Sequence, residues 1–428
     1  MAGYRSSVVL AGILVAAGAG GWSLVSAAPD TSWLQWGGPK RNFMMEAPPL
    51  ASSWAQGGPR RVWERSLGEG HSAILVDGNR LYTMYRGAGM LSMIRRTQSE
   101  TVAAIDAATG RTLWEHAYPS ATGGLNLEFG AGPHSTPLIV GDTLFAIGSR
   151  TEFFALDKNT GKVLWQHDLV KEFGAPQDDR GFSPSPVAYR ETVIIPGGSK
   201  GGAVMAFNQR TGALAWRAGD YSTGPAAPVL INVNGQDQLV ISGSNEILGV
   251  DPATGSVFWR HPHKTDYGLN ISTPVWGPDN LLFVSAAYNN GARQLRLDQA
   301  AGKTTVQEQW YQNRMRTHIG TVIRLGDVYI GSSGDFGPCP TVGVDVKTGQ
   351  VLWQNREFAR STFLHADGKL IILDEDGNIG IAAPTRQGLN VLSKASVLSN
   401  KAWTVPTLVG TKLYLRDRAT MMALELGR

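Results

Sequence analysis

ALDKNTGKVLW, at Ala155 to Trp165, decides the fold, because it returns along the chain with little disguise. It reads AIDAATGRTLW at Ala104 to Trp114, AFNQRTGALAW at Ala206 to Trp216, GVDPATGSVFW at Gly249 to Trp259 and GVDVKTGQVLW at Gly343 to Trp353. A stretched copy, RLDQAAGKTTVQEQW, ends at Trp310, and VWERSL carries an isolated member at Trp63. Trp63, Trp114, Trp165, Trp216, Trp259, Trp310 and Trp353 follow one another at steps of 51, 51, 51, 43, 51 and 43 residues. Seven of the 13 tryptophans therefore hold one structural position, the mark of a repeat architecture.

Each repeat has a physical reading. Ahead of the motif stand two apolar stretches separated by a Gly-Asp pair, as in STPLIVGDTLFAIGS at Ser135 to Ser149, which predicts strand, tight turn, strand. The D-x-x-T-G core predicts a second tight turn. Asp106, Asp157, Asp251 and Asp345 can accept hydrogen bonds from turn amides, and Gly110, Gly161, Gly212, Gly255 and Gly349 can take positive φ. The tryptophan then falls on a fourth strand, as a wedge between neighbouring sheets. Four antiparallel strands in roughly 45 residues make one propeller blade.

The count is eight blades, with seven as the alternative. Six end at the tryptophans from Trp114 to Trp353, and a seventh runs through TFLHADGKLIILDEDGNIGIAAP without a tryptophan. The eighth, TVPTLVGTKLYLRDRATMMALEL, has three strands, and the segment around Trp63 supplies its outer strand. Closing the ring with both chain ends removes the exposed edge of an open array. The expected organisation is a signal peptide at 1–28, an N-terminal extended segment at 29–62 and a propeller at 63–428, acting as a monomer.

Composition agrees with an all-β protein: 52 glycines and 42% hydrophobic residues in 428 positions. A net charge of +4 from 39 basic and 35 acidic residues is too weak for a nucleic-acid binder. The single cysteine, Cys339, excludes an intramolecular disulfide. Arg5, the uncharged run from Ser6 to Ala28 and the closing Ser26, Ala27 and Ala28 read as a Sec-type signal, which places the protein in the periplasm or outside the cell. The alternative is an uncleaved N-terminal anchor, and no other contact with a membrane is expected.

The A-x-D-x-x-T-G-x-x-x-W motif resembles the tryptophan-docking repeat of the propellers first seen in pyrroloquinoline-quinone (PQQ) enzymes. That group includes quinoprotein alcohol and glucose dehydrogenases, and the propeller lipoprotein of the outer-membrane barrel assembly machine. GFSPSP at Gly181 to Pro186, PGGSKGG at Pro196 to Gly202, NRMRTHIG at Asn313 to Gly320 and LYLRDR at Leu413 to Arg418 resemble a subgroup of exported bacterial propellers without an assigned activity. The resemblance covers about residues 33 to 428 and implies an eight-bladed ring. It also implies, for the dehydrogenase branch, PQQ with Ca²⁺ over the channel mouth.

Topology points to the face that carries function. The turns between first and second, and third and fourth, strands are short and share one face. The longer connections share the other, and binding residues concentrate on loops held by a rigid scaffold. The first positions of the inner strands, which should ring the channel mouth, align at Gly70, His134, Ser183, Pro225, Ile271, Ile319, Arg360 and Trp403. Loop neighbours add His71, Arg180, Lys200, Asn270, Arg316 and His318. Imidazole, cationic and aromatic groups in one ring suit a small polar or anionic ligand. The candidate binding residues are His134, Arg180, Lys200, Asn270, Arg316, His318 and Trp403.

Other motifs are weaker. His261 and His263 with Asp266 could hold a metal but lack a clear third ligand. Cys339 in GPCP has no identifiable base partner. Glu128, Asp178, Asp179 and Asp335 are scattered, where a polysaccharide hydrolase would pair its carboxylates. The reading is a non-catalytic exported propeller that needs no cofactor and binds a periplasmic protein or a small polar or anionic ligand. The alternative is a PQQ- and calcium-dependent dehydrogenase of alcohols or sugars.

Overall fold

The repeated turns form as their side chains dictate. Asp157 Oδ1 accepts hydrogen bonds from the backbone N–H groups of Asn159 and Thr160 at 2.9 and 2.8 Å, and from the Thr160 hydroxyl at 2.9 Å. Asp106, Asn208 and Asp345 hold their turns in the same way. Gly161 closes the turn with φ +74°. A Cβ there would also lie 2.6 Å from the indole of Trp114, in the preceding blade. The glycine is needed twice, for its backbone and for the close approach of the tryptophan.

These turns join strands into eight antiparallel blades in a computed structural model that describes residues 31–87, 99–130, 132–197 and 201–427. Blade 2 is typical: Leu138–Val140, Thr143–Ile147, Glu152–Asp157 and Val163–Asp168, running from the channel outwards. Blade 7 keeps the pattern without its tryptophan, in Ser361–Ala366, Lys369–Asp374, Asn378–Pro384 and Leu389–Ser396. Blade 8 takes Thr407–Val409, Lys412–Arg416 and Thr420–Glu425 from the C-terminal end and Arg60–Ser66 from the N-terminal side. Trp63 pairs with Ala423 in that seam, so the ring closes as the sequence predicts and the seven-bladed count falls. One short helix, Leu169–Phe173, is described, capped by Asp168 and by Gly174 at φ +67°.

Middle strands are buried along their whole length, as in Leu144 to Ile147 and Val193 to Ile195. Both of their faces meet a neighbouring blade, which explains why they read as continuous apolar runs rather than alternating ones. Rings interlock across blades: Phe153 meets Phe207 edge-on at 5.6 Å, and Phe283 stacks on Tyr329 at 4.2 Å.

The segment ahead of the ring does more than lead into it. Ser32–Trp33 pairs antiparallel with the inner strand of blade 1, at Asp77 and Val76. Met44–Met45 pairs parallel with the inner strand of blade 7, at His365 and Ala366. Between them the chain crosses the channel. Ile139 of blade 2 donates its N–H to Leu34 O (2.8 Å), and Trp36 Nε1 donates to Thr273 Oγ1 of blade 5 (2.9 Å). The tight-turn end of the channel is thereby filled by protein.

Candidate functional site

Filling one end leaves a cup of about 820 Å³ that opens among the long loops. Its floor includes Trp36, and its walls come from the inner-strand starts and the connections that precede them. Of the eight aligned starts, His134, Ser183, Pro225, Ile271, Ile319 and Trp403 line it. Gly70 instead backs onto Pro133, where a Cβ would lie 3.0 Å from the proline ring. Arg360 is buried, donating to Asp335 O at 3.0 Å and standing 4.0 Å from Glu375.

One wall is a stack of rings. His71 lies parallel to His134 at 5.4 Å and leans on Trp403 at 5.4 Å, with Phe129 beyond at 6.2 Å from Trp403. Two of the rings are pinned at their edges. His71 Nε2 donates to Phe129 O at 3.0 Å, and Trp403 Nε1 donates to Glu375 Oε2 at 2.9 Å. Both imidazoles keep some exposure through the mouth, yet the surrounding protein desolvates them. Burial brings His134 down to about 4 and, with the neighbouring His134, holds His71 well below the ordinary imidazole range. At neutral pH this wall is uncharged.

The facing wall carries His318 and Tyr288, joined through the tyrosine hydroxyl and His318 Nε2. His318 is buried, its Nδ1 has no partner among the described residues, and burial with the nearby Arg360 lowers it to about 3. Charge enters the cup through Arg180, whose Nη1 donates to Asp179 Oδ1 at 3.1 Å, and through Asp178 and Asp220. Burial and the adjacent Asp179 raise the Asp178 carboxyl above its usual range. The result is a largely neutral, ring-lined cup with hydroxyls (Ser149, Ser183, Thr223) between the rings.

His134, Arg180, His318 and Trp403 are thus brought together. Asn270 is buried with a backbone task, donating to Gly243 O at 2.7 Å and His263 O at 3.0 Å. Arg316 lies in a separate hollow, 3.3 Å from Asp335. Lys200 and the leader at 1–28 lie outside the described residues. Trp36, Phe129, Tyr221 and Tyr288 also line the cup. They sit in loops or ahead of the repeat, where no register identifies them.

His261 and His263 have separate surroundings. His261 Nε2 meets Glu308 at 3.0 Å, while His263 is buried with neither ring nitrogen partnered among the described residues. Cys339 is buried and its thiol donates to Gly337 O at 3.2 Å. The cup's donor set does not suit a calcium-bound quinone. Calcium takes six to eight oxygens, usually with several carboxylates, and among the described residues no three His, Cys, Asp or Glu side chains are grouped to hold a metal. Its polycarboxylate partner would need several cations, whereas Arg180 already faces Asp179.

Comparison with known proteins agrees with the propeller fold. A family model described as outer membrane protein assembly factor BamB matches residues 98–355. The outer membrane protein assembly factor BamB of Shewanella oneidensis is 32% identical over 311 residues, covering 66% of this chain and 71% of that protein. The crystal structure of BamB from Moraxella catarrhalis superposes with a TM-score of 0.60 at 17% identity, over 86% of this chain and 100% of that one. Quinohemoprotein alcohol dehydrogenase from Comamonas testosteroni superposes at 0.64 with 12% identity, over 94% of this chain and 82% of its own. At such identities the two structures speak for the shared ring alone. The family match spans more than half the chain and follows the same docking repeat, so this protein belongs to the BamB-type family of PQQ-like propellers.

Proposed function

We propose that this protein is an exported, non-catalytic, monomeric propeller that binds through its long-loop face, its cup taking a small polar or anionic group. The observation that carries the reading is the blind cup: Trp36 and its neighbours fill one end, and six inner-strand starts converge at the other. A wall of neutral rings with one arginine at the side suits recognition of a ligand's shape and hydroxyls better than proton transfer at neutral pH. His134, Arg180, His318 and Trp403 are the contacts assigned to that ligand. That this protein's BamB relative is an outer membrane protein assembly factor supports a protein partner on the surrounding loops.

A thermal-shift titration of the mature protein with PQQ, with and without Ca²⁺, tests this against the dehydrogenase alternative. No shift is expected at saturating cofactor. A calcium-dependent rise in Tm would mean preferential binding to the folded state and would replace the scaffold reading with an oxidoreductase one.

A further inference from the structure

The long-loop face carries a second hollow, built by blade 6 and separate from the cup. Arg314 and Arg316, on the approach to the blade, form one wall, and Arg356, just past its outer strand Val351–Asn355, forms another. The loop from Ser333 to Pro340 closes the hollow around about 390 Å³. Its backbone is fastened. Arg316 N–H donates to Ser333 Oγ at 3.0 Å, and the Ser333 hydroxyl donates to Arg314 O at 2.8 Å. Gly334 N–H donates to Arg316 O at 2.9 Å, and Ser333 N–H to Pro340 O at 2.9 Å.

The charges in this hollow are unequal. Arg316 stands 3.3 Å from Asp335 Oδ2, but Arg314 and Arg356 make no ion pair among the described residues. Asp335 Oδ1 is buried and has no hydrogen-bond donor among the described residues. Phe336, at the tip of the same loop, is 69% exposed, and Tyr267 is 65% exposed. Both rings pack against Tyr288, at 6.0 and 5.1 Å, so an aromatic ridge runs from the cup rim to the basic hollow. Aromatic rings beside arginines are what protein interfaces concentrate at their binding centres.

We propose that hollow and ridge together dock an acidic, extended segment of a partner protein. Its carboxylates pair with Arg314 and Arg356, a backbone N–H reaches Asp335, and an apolar side chain rests on Phe336. Two features favour a peptide over a simple anion. The Asp335 carboxylate repels a lone anion but accepts a peptide N–H, and an exposed ring offers an inorganic anion nothing. The surface shares the long-loop face with the cup but none of the cup's charged groups, so its failure leaves the cup reading standing.

The test is fluorescence anisotropy with the whole mature protein and a labelled peptide of alternating Glu, Asp and Leu. Saturable, salt-sensitive binding is expected, with affinity falling about tenfold or more in Arg314→Gln/Arg356→Gln and in Phe336→Ser. All three side chains are exposed, and circular dichroism checks that each variant is folded. Arg111→Gln/Lys162→Gln, an equal charge loss on the tight-turn face, should bind as the parent does. The proposal is overturned by absent saturation, by an equal loss in that control pair, or by full binding in Phe336→Ser. Sodium phosphate displacing the peptide as well as unlabelled peptide does would likewise overturn it, leaving an anion site only.

Discussion

The seven docking tryptophans share a position, and five of them share a bond. Trp63, Trp114, Trp165 and Trp310 donate their indole N–H to Ala107, Lys158, Gln209 and Val346 carbonyls at 2.9 to 3.0 Å, one residue past the turn aspartate or asparagine of the next blade. Trp353 reaches the equivalent Thr385 O at 3.2 Å. Trp259 turns to Gln238 Oε1 instead, because blade 5 replaces the short turn with a long hairpin, Gly291–Ala300 and Lys303–Gln312. Trp216 Nε1 is buried without an acceptor among the described residues. Trp165→Phe should therefore cost about 1 kcal/mol more than Trp216→Phe, since only the first breaks a hydrogen bond. Urea unfolding measures both, and equal losses would mean the indole N–H contributes nothing. The glycine beneath the ring is as specific. At Gly212, φ is +74° and a Cβ would lie 2.8 Å from Trp165; at Gly141, φ is +57° with open space around it. Gly212→Ala should lose about 2–4 kcal/mol, combining backbone strain with overpacking, against about 1 kcal/mol for Gly141→Ala.

Blades differ in how their strands are tied to the ring. Where the two chain ends meet, Arg416 on the second strand of blade 8 is fully buried and reaches into blade 1. Its guanidinium donates to Gly68 O at 2.9 Å, Met84 O at 2.7 Å and Thr83 Oγ1 at 3.2 Å. Burial lowers its pKa to about 10, so it stays charged while satisfying neutral acceptors. Arg416→Ala strands those acceptors in the seam and should cost roughly 3 kcal/mol or more. A Tm within a degree or so of the parent would show that the seam closes without it. In blade 2, the turn between second and third strands carries the opposite strain. Burial, with Glu100 nearby, pushes the Glu152 carboxyl up to about 7. Its folded pKa lies above its unfolded one, so stability is lost as pH rises through about 7. Glu152→Gln should stabilise the protein at pH 8 relative to the parent and do little at pH 5, a contrast read by paired thermal melts. Strand order and ring closure were legible because each T-G turn and each tryptophan has a local reason. The plug was not, because Leu34 and Trp36 obey no repeat and take partners in blades 2 and 5.

Across the whole ring, the face that holds the cup could be foreseen from turn lengths, but the cup's chemistry depends on depth. His134 and Trp403 could be placed at the mouth by alignment, whereas the neutrality of the imidazoles comes from how much protein surrounds them. The same depth makes the fold sensitive to acid. Burial lowers His318 and His263 to about 3 and His134 to about 4, with Arg360 beside the first and Arg293 beside the second acting in the same direction. Each binds its proton less readily folded than unfolded, so its contribution is complete above the ordinary imidazole pKa of about 6.5 and is lost as pH falls from there through the folded values. At full shift this amounts to roughly 4–5 kcal/mol for each of the two buried imidazoles, with Glu152 offsetting part of it between about pH 4.5 and 7. Tm should therefore drop steeply between pH 7 and pH 4. His318→Asn and His263→Asn should each flatten that slope while costing some stability at pH 7. If both variants keep the parental slope, acid lability comes from carboxylates alone, and the cup is wetter than its ring-lined walls imply.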